Sequence, residues 1–152
     1  MASPIAVRIQ THAIETRDPF DDEGGDFACG AEVLFYGRVR AHNHGRRVTG
    51  VSYDAFVPLG EKILARLCLE AQAKFDPRLQ ARIWHRVGRV APGDISVLIA
   101  VRTPHRAEAY AASRFLIEEI KHQVPIWKQE HYEDGDSEWL QGHALCTREA
   151  TP

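Results

Sequence analysis

Residues 94–132 read DISVLIAVR, then TPHRAEAYAASRFLIEEIKHQV, then PIWKQEHY. Asp94–Arg102, β-branched and almost wholly apolar, is the most convincing strand in the chain. Thr103 is a suitable N-cap for a helix, and Pro104 suits the first helical position, where a missing N–H goes unnoticed. Ala109, Ala112, Leu116 and Ile120 then form one helical face, with Phe115 beside it. Pro125 stops that helix and leaves Pro125–Tyr132 as a further extended segment.

Working back from this stretch, Pro92-Gly93 carries the residues of a type II turn, and Leu79–Val87 reads as the strand before it. Ile63, Leu64, Leu67, Cys68, Ala71 and Phe75 recur at helical spacing. They predict an amphipathic helix from Pro58 to Phe75 that Asp76-Pro77 ends. Ala31–Val39 (AEVLFYGRV) and Val48–Phe56 have strand character, and the polar AHNHGRR between them predicts a β-hairpin with a long basic loop. Ile5–Ile9 reads as an edge strand and Asp18–Asp26 (DPFDDEGGD) as a mobile loop. From Ala31 onward the order is ββαββαβ, an α+β domain with a mainly antiparallel sheet and two covering helices. Neither a repeat nor a linker divides residues 1–152, so one domain is expected, with 144–152 as a flexible tail.

Composition narrows the functional classes. The net charge of −2 is not that of a polycation built for nucleic acid, so any basic site must be local. The longest apolar runs fall far short of the roughly 20 residues a membrane span needs, and the N-terminus lacks the pattern of a secretory signal. Cys29, Cys68 and Cys146 are odd in number and widely spaced, which reads as reduced thiols in a cytoplasmic protein.

Two basic groupings stand out. Arg38, Arg40, His42, His44, Arg46 and Arg47 crowd one strand end and its loop, where guanidinium groups suit phosphate oxygens. A solvated hairpin tip explains the same cluster. The His42/His44 pair lacks the accompanying carboxylates or thiolates of a metal site, so no metal and no cofactor are expected. His105 and Arg106 sit at the start of the second helix, an anion-binding position where a cation opposes the helix dipole. Lys121 lies in the last turn of that helix, where simple capping also accounts for it. On the final strand, Ile126, Lys128 and Glu130 should face one way, with Trp127 and Gln129 facing the other. A part-buried Lys128 oriented by Glu130 would be usable in proton transfer near neutrality.

These pieces, in this order, resemble the molybdopterin synthase large-subunit family. GAEVLFYGRVRAHNHG (30–45) is similar to a signature built on GxVRxHNxG. TPHRAEAYAASRFLIEEIKHQVPIWKQE (103–130) resembles the family's second block. The likeness runs from Gly30 to Trp139. It implies a fold of α/β-hammerhead type and an enzyme that makes the molybdopterin dithiolene from cyclic pyranopterin monophosphate. The sulfur would come from the C-terminal thiocarboxylate, after Gly-Gly, of a small ubiquitin-like partner. The implied assembly is a heterotetramer around a homodimer of large subunits, in the cytoplasm, with no nucleic acid or membrane partner.

Carried over residue by residue, the resemblance marks Arg38, Val39, Arg40, His105, Arg106, Lys121, Lys128, Gln129 and Glu130 as substrate-binding, with Lys121 and Lys128 catalytic. Arg38 stands where the family often has lysine, so the charge is kept. Leu140-Gln141-Gly142-His143 stands where some members carry a further arginine, so no phosphate contact is expected there.

His105 and Lys121 are sixteen residues apart on one predicted helix, about 24 Å at ~1.5 Å per residue. Both can serve one small substrate only if the helix breaks or two protomers share the site, and sharing is the expectation. Two other readings make different predictions. A non-catalytic phosphoanion- or nucleotide-binding module would tolerate loss of Lys121 and Lys128. An RNA-binding hairpin protein would bind with steep salt dependence.

Overall fold

The computed structural model describes residues 3–20 and 27–141. Most of the expected 18–26 loop, the 144–152 tail, Cys146 and His143 lie outside the described residues. In chain order the elements are β1 (Ile5–Gln10), β2 (Ala31–Arg38), β3 (His42–Asn43), β4 (Arg46–Ala55) and α1 (Val57–Lys74). There follow β5 (Gln80–Arg86), β6 (Gly88–Val90), β7 (Ile95–Thr103), α2 (Arg106–Gln123), β8 (Ile126–Tyr132), β9 (Gly135–Asp136) and β10 (Leu140–Gln141).

The strands form two sheets where one was expected. The first has the order β1-β5-β7-β2, antiparallel except for the parallel pair β1·β5. The second runs β10-β8-β4-β3, with β6 on β4 and β9 on β8. The class is α+β, as expected. β7 is the apolar strand read from the sequence, and all of its residues except Arg102 are buried. Val97, Ile99 and Val101 pack beneath the helices with Leu64, Leu67, Cys68, Ala71, Ala112, Leu116 and Ile120. Leu98 turns to the other face, against Ile14 and Trp84. Such double coverage is why the run shows no polar alternation. Gly93 takes φ +88° and Asp94 N–H bonds the Ala91 carbonyl at 3.0 Å, which closes the expected turn.

Two expectations need correction. β2 and β4 do not form a hairpin: β2 pairs with β7, while β4 pairs with β3, β6 and β8. A register shift at Gly37/Arg38 bends the chain out of the first sheet. Val39 is then buried among Val48, Val51, Val90 and Tyr132 of the second. The true hairpin is β3/β4, turned through His44 (φ 51°) and Gly45 (φ 71°), a two-residue turn with both residues left-handed. Thr103 is not the N-cap either. It ends β7 fully buried, paired with Ala31, and its hydroxyl donates to the His105 carbonyl at 2.6 Å. His105 holds the N-cap position without a side-chain cap, and the helix begins at Arg106.

Candidate active site

Strand register places the first chemical group. β8 lies between β4 and β10, with Tyr53 opposite Lys128 and Val51 opposite Glu130. Alternation turns Ile126, Lys128, Glu130 and Tyr132 to the inner face, as the sequence predicted for the first three. Lys128 Nζ meets Glu130 Oε1 at 3.1 Å, and both side chains are largely buried (19% and 9% exposed). The expected part-buried lysine with an acidic orienting partner is therefore present.

Glu130 has further partners. Its Oε2 accepts from Asn43 Nδ2 at 2.8 Å and from the Tyr132 hydroxyl, while the same Asn43 nitrogen lies 3.0 Å from Tyr132 Oη. Arg40 Nη2 reaches Asn43 Oδ1 at 3.4 Å. Burial alone would push the Glu130 carboxyl up. The hydrogen bond from Tyr132, the Lys128 charge and the Asn43 amide together hold it below its ordinary value.

The last turn of α2 brings Lys121 to the same place. A small cleft is lined by Lys121, Lys128, Tyr53, His85, Val124 and Trp127. His85 is 3% exposed, and its ring meets Tyr53 edge-on at 5.3 Å. Burial, with Lys121 adding to the effect, lowers its pKa to about 4 against the hydrogen bond at its Nδ1. The imidazole is thus neutral at physiological pH. Because its Nδ1 partner is the Arg86 carbonyl at 2.9 Å, an acceptor only, the ring proton sits on Nδ1. Burial also raises the Tyr53 phenol. The cleft therefore sets two amines against a neutral imidazole and a protonated phenol, a part-buried setting suited to proton transfer and oxyanion stabilisation.

Other predicted positions divide. Arg38 is exposed, and its Nη1 bonds the Gly93 carbonyl at 2.8 Å. Val39 is buried, with its N–H given to the Asp94 carbonyl and its own carbonyl accepting from Gly93. Gln129 points to the opposite face of β8 and bonds the Ser137 carbonyl. His105 and Arg106 begin α2, which runs unbroken to Gln123. They stand about 24 Å from Lys121 at ~1.5 Å per residue, so a single protomer does not bring them together. Among the described residues no three His, Cys, Asp or Glu side chains cluster as a metal site.

The sequence reading missed Asn43, Tyr132, Tyr53 and His85. Asn43 lies within the quoted HN motif, but its partner is 87 residues away. Ser52 Oγ, His131 and Asp136 also form a relay, at 2.6 and 2.9 Å. Ser52 sits mid-strand in β4, which is paired on both edges there, so this relay ties β4, β8 and β9 together.

The fold and site define a class: an α+β protein of two curled, mainly antiparallel sheets whose junction encloses a lysine pair. Residues 9–123 match the model of the MoaE protein family, and the chain belongs to that family. It is 48% identical over 126 residues to a molybdopterin synthase catalytic subunit of Synechococcus elongatus, covering 83% of this chain and 73% of that one. Its likeness to the Staphylococcus epidermidis catalytic subunit is 45% over 139 residues, covering 91% and 90%. Among solved structures, molybdopterin synthase from Staphylococcus aureus superposes with a TM-score of 0.79 at 40% identity, covering 87% of this chain and 94% of that one. A MoaE protein from Burkholderia ambifaria gives 0.68 at 28%, covering 90% and 89%.

Proposed function

We propose that this chain is a sulfur-transferring enzyme of molybdenum cofactor biosynthesis. It would convert cyclic pyranopterin monophosphate to the molybdopterin dithiolene with sulfur from the thiocarboxylate tail of a small ubiquitin-like partner. The observation that carries this reading is the convergence of Lys121 and Lys128 on one small cleft in a chain of this family. The tail's sulfur adds to a carbonyl carbon of the substrate, the C=O pair becoming an oxyanion that takes a proton and departs as water, and the carbon–sulfur bond left behind is a thioester. Water then cleaves that thioester, its oxygen ending on the tail's carboxylate and the sulfur staying on the substrate. Both steps pass through oxyanions that the two ammonium groups stabilise, and both need protons moved at the amines. A Gly-Gly tail, lacking side chains, suits so small a cleft.

Arg38, Val39, Arg40, His105, Arg106, Gln129 and Glu130 complete the proposed binding set, with the α2 N-terminus and the arginines taking the substrate phosphate. Because one protomer keeps His105 and Arg106 far from Lys121, the site belongs to a homodimer, the core of a heterotetramer with the small partner. β2 offers a suitable contact. It ends its sheet, exposes Leu34 and Phe35, and runs from beside Thr103 to beside Ile95. Eight strand residues span about 24 Å, the same distance as His105 to Lys121. Antiparallel two-fold pairing along β2 would therefore set the partner's His105 and Arg106 beside Arg38 and Lys121.

No helix among the described residues is long and apolar enough to cross a membrane, and the proposed reaction is cytoplasmic. The test mixes the chain with thiocarboxylated partner and the pyranopterin precursor and measures dithiolene. Product is expected from the natural chain, with a loss of about 10²-fold or more in Lys121→Ala and in Lys128→Ala. No product with both reactants verified refutes the reading. Undiminished function of both lysine variants would favour a non-catalytic phosphoanion-binding module.

A further inference from the structure

We propose that Asn43 is a positioning residue for the reaction, acting on Lys128 through Glu130. The inference rests on the sulfur-transfer reading and names a part of the site that the lysines and arginines do not cover.

The geometry is a chain of side-chain contacts running from Asn43 through Glu130 to Lys128. Lys128 Nζ is held by one oxygen of Glu130, Oε1, at 3.1 Å. The other oxygen, Oε2, takes the Asn43 amide at 2.8 Å and the Tyr132 hydroxyl. A carboxylate bound at one oxygen only can swing about its last torsion, which is broad and soft. Bound at both, it presents Oε1 at a fixed place, and the lysine that follows it is fixed too. Asn43 is suited to this work because its amide is bidentate in function: Nδ2 donates inward while Oδ1 accepts from Arg40 at 3.4 Å. Aspartate there would repel Glu130, and leucine would leave Oε2 one donor short in a buried setting.

Asn43 itself sits on the two-residue strand β3, pinned to β4 by the pairs His42↔Arg47 and Asn43↔Arg46. Arg46 lies over the Tyr132 ring at 3.7 Å and bonds Asp134, which clamps the same corner from outside. The basic hairpin thus serves as the arm that delivers Asn43 to Glu130, and Arg40, a proposed substrate contact, is tied to the catalytic lysine by three consecutive contacts. Substrate phosphate drawn to Arg40 would meet a Lys128 already aimed.

The test is a double-mutant cycle in the full reaction, with thiocarboxylated partner and precursor. Asn43→Leu should lower kcat about tenfold, as expected for one lost hydrogen bond to a buried charge, with KM within about twofold. Tyr132→Phe, which removes only an oxygen, should lower kcat in the same direction. In a Glu130→Ala background Asn43→Leu should have almost no further effect, because its only route to Lys128 is already gone. A merely structural Asn43 would lower thermal stability without this loss of effect on the Glu130→Ala background. Wild-type kcat in Asn43→Leu, a raised KM with unchanged kcat, or equal losses in both backgrounds each overturn the proposal. Absence of product from the natural chain overturns instead the reading on which it rests.

Discussion

Lowering the pH should destabilise this protein through His85 before its carboxylates are affected. The imidazole is 3% exposed, and its pKa falls from the ordinary 6.5 to about 4, chiefly through burial and further through Lys121. In the unfolded chain His85 takes a proton near pH 6.5; in the folded chain it refuses one until about pH 4. The unfolded state therefore binds more protons throughout that interval, and folding stability falls as pH falls across it. At ~1.36 kcal/mol per pH unit, the interval from 6.5 down to about 4 amounts to about 3 kcal/mol. Above pH 6.5 that stability is fully present. Glu130, Asp76 and Asp134, whose pKa values are lowered, contribute in a separate window and lose their stabilisation only below the ordinary carboxylate range near ~4. Urea denaturation of the natural chain and of His85→Gln from pH 8 to 4.5 isolates the effect. Glutamine keeps an N–H for the Arg86 carbonyl and does not titrate, so the two stability curves should converge as pH falls below 6.5. Parallel curves, or an imidazole titration near 6.5 followed by NMR in the folded chain, would refute the reasoning.

Three further outcomes are expected. Mixing Arg106→Ala with Lys121→Ala subunits should restore about a quarter of wild-type activity, since half of randomly formed dimers carry one intact shared site; no recovery would overturn the shared site. Leu116→Ala removes a fully buried side chain between α2 and β7 and should cost about 2–5 kcal/mol in denaturant unfolding. Cys68, fully buried with its thiol pushed up to about 12, should resist thiol reagents until the protein unfolds, whereas the part-exposed Cys29 should react in the native state.

The sequence was most legible where local rules and tertiary demand agree. Pro58, Asp76-Pro77, Pro92-Gly93 and Pro125 punctuate the chain, and between them the 3.6- and 2-residue periods had only one reading each. Agreement failed at the element junctions. Thr103 has every local qualification for an N-cap, yet pairing with Ala31 keeps it in the strand, and a buried hydroxyl then needs the nearest carbonyl, that of His105. Likewise Ala31–Val39 and Val48–Phe56 look like two arms of a hairpin because nothing in their composition says which strand each will meet. The register shift at Gly37/Arg38 and the burial of Val39 send them to different sheets, and neither is a local property.

The same distinction explains why the lysines were visible and their supports were not. Lys128 and Glu130 are two residues apart on a strand, so alternation alone puts them side by side. Asn43 and Glu130 are 87 residues apart, and the contact exists only because β4 carries β3 at one edge and β8 at the other. His85 carries no local signal either, because β5 reads QARIWHR and mixes apolar with charged side chains, so nothing nearby marks the histidine as buried. It is core, and that is its use, since a neutral buried ring can wall a cleft beside two ammonium groups where a charged one could not. The reacting groups were thus written in local sequence, while the side chains that fix their position and polarity follow from which strands are neighbours.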